Sequence, residues 1–476
     1  MKTTKLLLLF VSIAFLSLSC SSDDDNSTPS NPSPQQKNIV EIALETPELS
    51  TLVAALTRAD GNLVAVLNGD GPFTVLAPTN AAFTAFLNQN GFASLDDVPT
   101  DVLSQVLLNH VIMADVTSSD LTAMGAGYAS GSATSSVGLP ISIFFDTSNG
   151  VRFNNAGTVT TADINASNGT IHIINGVLGL PDIVDHAINN PSFTSLVTAL
   201  GAADGDLVSD LRLDGPYTVL APDNDAFETF LDGTPIGSVD TAVLREILLN
   251  HVLGGAIDSE FLIDAGAGYT MTSATGAGGN AMSLYYNTSS GVMFNGISTV
   301  SEADVVGTNG IIHAVDAVIG LPTVVTFAAA DPNFSTLVSA LTDLTPGTDF
   351  AEILSRTTGS NADGINPDYT VFAPTNGAFE ALIEDLGGVP DEATLTTVLL
   401  YHVASEANVT SGDLMVGANP VTSLQGGVFT LNVPGTGDNI ADITDGSGAT
   451  DIGVIAVDVQ ASNGVIHVLN KVMLPN

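Results

Sequence analysis

The chain has 476 residues, 45% of them apolar, and carries 51 Asp and Glu against 9 Lys and Arg, a formal net charge of −42. That length suggests about three domains of roughly 150 residues; the acidity excludes nucleic acid as a partner, because phosphate contacts need a basic surface, and it excludes docking of the folded part on an anionic membrane. One cysteine and no tryptophan exclude an internal disulfide framework and remove the best stacking platform for a sugar ring or a cation.

Met1-Lys2-Thr3-Thr4-Lys5 is a short basic segment, and Leu6 to Leu18 is apolar apart from two serines. That stretch is too short for a transmembrane helix. Residues 1–19 resemble a lipoprotein signal peptide, with Cys20, the only thiol, as the lipid-modified first residue of the mature chain. Acyl chains there would hold the protein in a bilayer. Ser21-Ser22-Asp23-Asp24-Asp25 resembles the acidic tag that sends lipoproteins to the outer surface in some Gram-negative lineages. Pro, Ser, Asn and Gln follow and cannot form a core, so residues 20–37 read as acidic tag and flexible tether.

The remainder repeats itself. IVEIALETPELSTLVAALTRA begins at Ile39, IVDHAINNPSFTSLVTALGAA at Ile183 and VVTFAAADPNFSTLVSALTDL at Val324. Periods of 144 and 141 residues are domain-sized, giving units at 38–181, 182–322 and 323–476. Each opens with apolar residues at helical spacing, such as Leu49, Leu52, Val53 and Leu56. Pro47, Pro191 and Pro332 interrupt the pattern, so a short helix precedes a longer one. FTVLAPTNAAF (73–83), YTVLAPDNDAF (217–227) and YTVFAPTNGAF (369–379) follow. Their apolar halves predict a buried strand ended by proline. Thr79, Asp223 and Thr375 then stand as N-caps of an amphipathic helix.

VLLNHVI (106–112), ILLNHVL (247–253) and VLLYHVA (398–404) end a further helix. The Gly- and Ser-rich stretches 125–138 and 264–280 read as loops. In SNGTIHIINGVL (167–178), TNGIIHAVDAVI (308–319) and SNGVIHVLNKVM (462–473), Asn-Gly between β-rich runs predicts a hairpin. Helices first and strands later give an α+β class. No Gly/Ser or Pro-rich linker separates the units, so neighbours should sit close and bend little. The third unit also has a polar, Gly-rich insertion at 345–368, a place for a function of its own.

Taken in this order, the blocks resemble the fasciclin (FAS1) domain family in three tandem copies over about residues 38–475. The Ala-Pro-Thr-Asn-x-Ala-Phe block, with Asn80, Asn224 and Asn376, is similar to the family's first motif. The Asn-Gly-x-Ile-His block, with His172, His313 and His467, is similar to its second. Leu-Leu-x-His-Val resembles the Tyr-His motif between them. The resemblance implies compact modules with helices packed on a β-sandwich-like wedge, found in secreted and surface-anchored proteins. It implies adhesion and matrix contact, not catalysis. It makes Tyr401, His402, Asn109, His110, Asn250 and His251 candidate binding residues, and only the third copy keeps the Tyr-His pair.

The residues themselves offer little other chemistry. Two imidazoles per unit are too few for a zinc site and are expected to satisfy buried backbone groups. His186, without a counterpart in the other units, is expected at the surface. Calcium suits the abundant Asp better, yet no EF-hand loop occurs; no cofactor is expected, calcium being the one candidate. No nucleophile elbow and no shared carboxylate pair argue for an enzyme. The sequence thus predicts an outer-membrane lipoprotein exposed on the cell surface. Its partners are the membrane through the lipid, and extracellular matrix, polysaccharide or a surface protein through the repeated domains, whose linked weak sites gain from effective concentration. The alternative is a glycan-binding lipoprotein of a nutrient-uptake system, for which Tyr285-Tyr286 or Phe144-Phe145 would supply exposed rings. A glycan-active enzyme, marked by paired buried carboxylates, is the third class.

Overall fold

The computed structural model describes residues 36–476; the signal peptide, Cys20 and most of the tether lie outside the described residues. In the first domain Asn38 caps α1 (Ile39–Glu45) through a reciprocal pair of bonds with Glu41, each 2.9 Å. Pro47 starts a single 3₁₀ turn that redirects the chain into α2 (Ser50–Arg58). After α3 (Leu63–Leu67), β1 (Phe73–Pro78) runs into α4 (Asn80–Gln89). Thr79 caps α4 by accepting the Ala82 amide at 3.2 Å, and Asp223 and Thr375 cap the corresponding helices. Next come α5 (Thr100–Leu108), β2 (Val111–Ile112) and α6 (Ser118–Met124). The domain ends with β3 (Ala126–Thr134), β4 (Pro140–Asp146), β5 (Arg152–Phe153), β6 (Gly157–Ala166) and β7 (Gly169–Ile174).

Strands β1 to β7 pair in chain order and β7 returns to lie parallel to β1, so the pairing closes on itself. The second domain closes in the same way, whereas the third stays open between Val403–Ser405 and Gly417–Thr422. β1 and β7 are buried on both faces, which is why both read as unbroken apolar runs. Phe73, Val75, Ile171 and Ile173 meet the helices, packing with Leu52, Phe83 and Leu103. Leu76 and Ile174 face the sandwich interior with Ile143, Phe145 and Phe153. Each fully buried side chain of this size contributes about 1.5–3 kcal/mol.

Two expected loops are strands. Residues 126–134 and 267–275 form nine-residue strands despite their small side chains. A Cβ on Gly127 would lie 3.3 Å from the Phe145 ring, and one on Gly268 3.0 Å from the Tyr286 hydroxyl. The small residues let these rings lie across the neighbouring strand. The Asn-Gly hairpins also differ in register. Ser167 and Asn168 make the turn, and Gly169, paired with Ala166, opens β7. A Cβ there would come within 1.9 Å of the Phe73 carbonyl oxygen, so β7 approaches β1 closely only because the residue is glycine.

Consecutive domains share a joint built twice from the same positions. At the first, the Tyr128 ring packs on Phe144 (5.3 Å between centroids) and on His186 of the second domain (5.6 Å). Asn190 donates to the Tyr128 hydroxyl at 3.2 Å, and the Val306 amide donates to Ser142 Oγ at 3.0 Å. At the second, Tyr269 packs on Tyr285 (5.1 Å) and Phe327 (5.7 Å). Its hydroxyl donates to Asp331 at 3.0 Å, and the Gln460 amide donates to Ser283 Oγ at 2.9 Å. Each tyrosine thus packs into the core of the domain that follows it. His186, expected at the surface, is fully buried here; the first domain covers the face of the helix that carries it.

Candidate functional site

The Leu-Leu-x-His-Val motif closes α5 and its equivalents. Asn109, Asn250 and Tyr401 are 0% exposed, and His110, His251 and His402 at most 3%. His110 Nδ1 donates to the Val106 carbonyl one helical turn back at 2.7 Å, while its Nε2 accepts the Leu178 amide at 2.9 Å. His251 pairs likewise with Ile247 and Ile319, and His402 with Val398 and Met473. Both ring nitrogens are therefore engaged in the neutral form. Burial pushes all three imidazoles down to about 4, partly opposed by the bond to the helix carbonyl. Asn109 adds a bond to the Gly179 carbonyl at 2.7 Å and Asn250 one to Gly320 at 3.0 Å. Tyr401 turns instead to the Val428 carbonyl at 3.0 Å. The motif clamps the segment that leaves each domain. These six residues were expected to touch a partner; in the folded domain they are withdrawn from solvent, the histidines and asparagines by their bonds to the exit segment and Tyr401 by its bond to the Val428 carbonyl.

The other motifs are struts. Asn80 accepts the Thr51 amide at 2.8 Å and donates to the Pro47 carbonyl at 3.0 Å, tying α4 to the turn before α2. Asn224 and Asn376 repeat both bonds. His172 Nε2 donates to the Val116 carbonyl at 2.9 Å, and His313 and His467 do the same to Ile257 and Val409 at 2.8 Å. Burial lowers the His313 and His467 pKa values.

Sequence reasoning missed three sets of residues. Asn168, Asn309 and Asn463, taken as turn residues, accept the amides of Ile39, Ile183 and Val324 at 3.0–3.1 Å and so fix where each domain begins. Tyr128 and Tyr269 lie in Gly-Ala-Gly-Tyr, which recurs in the first two copies and not in the third, a signal legible beforehand. Asp163, Asp304 and Asp458, all at positive φ (57°, 61°, 63°), accept the amide and hydroxyl of Ser118, Ser259 and Ser411. Those bonds from Ser118, the side chain's first, hold the Asp163 carboxyl below the usual range.

Serine, aspartate and histidine thus meet in each domain, but not as a nucleophilic relay. His172 Nδ1 accepts the Asp163 amide at 3.3 Å and lies 3.9 Å from its carboxylate, while Nε2 is committed to Val116. Activation of a serine needs the imidazole in contact with the hydroxyl. Among the described residues no group of three or more His, Cys, Asp or Glu is placed to hold a metal ion. The aromatic pairs are buried too: Phe144, Phe145 and Tyr285 are at most 3% exposed and Tyr286 is 9%.

A cleft of about 440 Å³ lies beside the first joint, where Tyr128, Ser130 and Ser142 face Asp258, Glu260, Glu302 and Asp304. Burial raises the Glu302 pKa. The 345–368 insertion folds around Arg356, which pairs with Glu352 at 2.8 Å and Asp363 at 2.9 Å. Among the described residues no helix is long and apolar enough to cross a membrane.

The chain is similar to several known proteins. The Fasciclin domain matches residues 47–181, 191–322 and 332–475. Human periostin is 28% identical over 438 residues, 90% of this chain and 46% of periostin, so the chain spans less than half that protein's length. The cell surface glycolipoprotein MPB83 of Mycobacterium bovis is 33% identical over 163 residues, 31% of this chain and 62% of that one. A solved FAS1 domain pair from the insect cell adhesion molecule fasciclin I aligns with a TM-score of 0.37 at 18% identity, covering 58% of this chain and 97% of the other.

Proposed function

Because the chain belongs to the fasciclin domain family, whose domain it carries three times in tandem, we propose that it is an adhesion protein anchored at the cell surface. Cys20 carries the lipid, residues 21–37 are the spacer, and the three domains meet extracellular matrix, polysaccharide or a surface protein. The reading needs no cofactor and no catalysis. The observation that carries it is the threefold match together with the repeated joint. Three related surfaces held in one body favour weak contacts added together, since the second and third gain from effective concentration. A relative described as a cell surface glycolipoprotein supports a lipid-anchored placement at the cell surface. The contact surface then belongs to the exposed faces of the domains and not to the buried Tyr401, His402, Asn109, His110, Asn250 and His251. The glycan-uptake alternative loses its motivating feature, since the aromatic pairs it relied on are buried.

Cells producing the full chain are compared with deletion cells for retention on matrix-coated and polysaccharide-coated surfaces, with and without calcium. The proposal expects retention to fall on deletion, and also on Cys20→Ser, which releases the protein to the medium. Equal retention with and without the protein rejects adhesion. Resistance of the domains to protease added to intact cells rejects surface exposure.

A further inference from the structure

The joint is a head-to-tail coupling, and the outgoing face of the third domain and the incoming face of the first differ from those that form it. The outgoing half is an outward-facing aromatic pair, Tyr128 with Phe144 and Tyr269 with Tyr285, directly opposite each other on paired strands. In the third domain the corresponding strands are Gly417–Thr422 and Val428–Val433. Phe429 and Leu431 point into the sandwich core, so Val428, Thr430 and Asn432 face outward. Opposite them stand Thr422, Pro420 and Ala418. None is aromatic. The Asn432 amide is turned back onto its own sheet, donating to Thr444 at 3.1 Å.

The incoming half is altered as well. By the alignment of the opening helices, Ile42 stands where His186 and Phe327 receive the tyrosine ring, and Thr46 where Asn190 and Asp331 meet its hydroxyl. The Thr46 hydroxyl is already committed to the Ile42 carbonyl at 2.7 Å. Asn165, at the register of the buried Val306 and Gln460, is exposed. A Lys37–Glu45 ion pair ties the residue before the N-cap of this helix to its last residue.

We infer that this coupling is self-recognising and that both free ends are blocked, so that the chain is a closed array of three domains that does not add further copies of itself. The first two domains each present the surface that seats a following fasciclin domain; the third has lost it, and the first has lost the matching seat. Charge and polar side chains at open edges are a common means of suppressing such association. The inference stands apart from the adhesive reading, because it concerns only how copies of this domain recognise one another.

The test rebuilds each half on separate full-length chains. Pro420 and Thr430 stand at the register of the aromatic pair, so one variant carries Pro420→Tyr with Thr430→Tyr; the other carries Ile42→Phe with Thr46→Asp. Sedimentation velocity should show the native chain and each variant alone as single monomeric species, and an equimolar mixture of the variants as a dimer of twice the mass. A native chain whose mass rises with concentration overturns the inference. So does a mixture that stays monomeric while circular dichroism shows both variants folded. Should a variant misfold, the native chain's concentration series still decides whether its ends are closed.

Discussion

His186→Phe separates acid sensitivity from the general effect of a chain with 51 carboxylates. His186 is fully buried in the first joint, with Nε2 donating to the Val306 carbonyl at 3.1 Å and its ring against Tyr128. Burial lowers its pKa from 6.5 to about 4. The unfolded chain therefore binds the proton first, and stability rises with pH through the window between those values. The neutral ring's contribution is complete above pH 6.5, declines as pH falls, and is gone below about 4. A difference of that size corresponds to about 3 kcal/mol. The third domain already carries Phe327 at this position, so the substitution fits the joint. Calorimetric melting of the full chain at pH 7, 5.5 and 4 is the assay. Both proteins carry the same carboxylates and respond to their protonation alike, so the difference between them isolates the histidine. At pH 7 the two should melt within a few degrees of each other. At pH 4 the phenylalanine variant should retain about 3 kcal/mol that the native second domain has lost. An unchanged difference between pH 7 and pH 4 would refute the reasoning, as would a His186 imidazole titrating near 6.5 in the folded chain.

Other substitutions probe other links. Gly169→Ala drives a Cβ to within 1.9 Å of the Phe73 carbonyl at a φ of +147° and should cost the first domain about 3 kcal/mol or more, read by thermal denaturation. Tyr269→Ala should weaken the second joint by about 3–5 kcal/mol, seen in small-angle scattering as a larger and more variable maximum dimension while circular dichroism is retained. Asn224→Ala strands the Ser195 amide and the Pro191 carbonyl and should destabilise the second domain by about 1–3 kcal/mol in urea. Tyr401→Phe loses one bond, to the Val428 carbonyl, so it should cost about 1 kcal/mol and leave adhesion unchanged.

By itself the sequence determined the local plan. The period, the proline-interrupted opening helices, the buried strand ending in Ala-Pro and the caps at Thr79, Asp223 and Thr375 follow from side-chain spacing and from groups that satisfy their near neighbours. Such features need only the few residues on either side, and three copies state them three times. Tertiary structure decided everything that depends on what lies opposite. Gly127 and Gly131 read as loop residues until the Phe145 ring and the Asn109 side chain are set against them. Asn168 is a turn residue in one dimension and the anchor of Ile39 in three. The fate of His110 depends on an exit segment 68 residues further along the chain. His186 and Phe144 alternate outward on their own elements, as a single domain requires, and are buried only because a second domain is seated on them. Burial between domains carries no periodicity in either one, since it is a property of the pair.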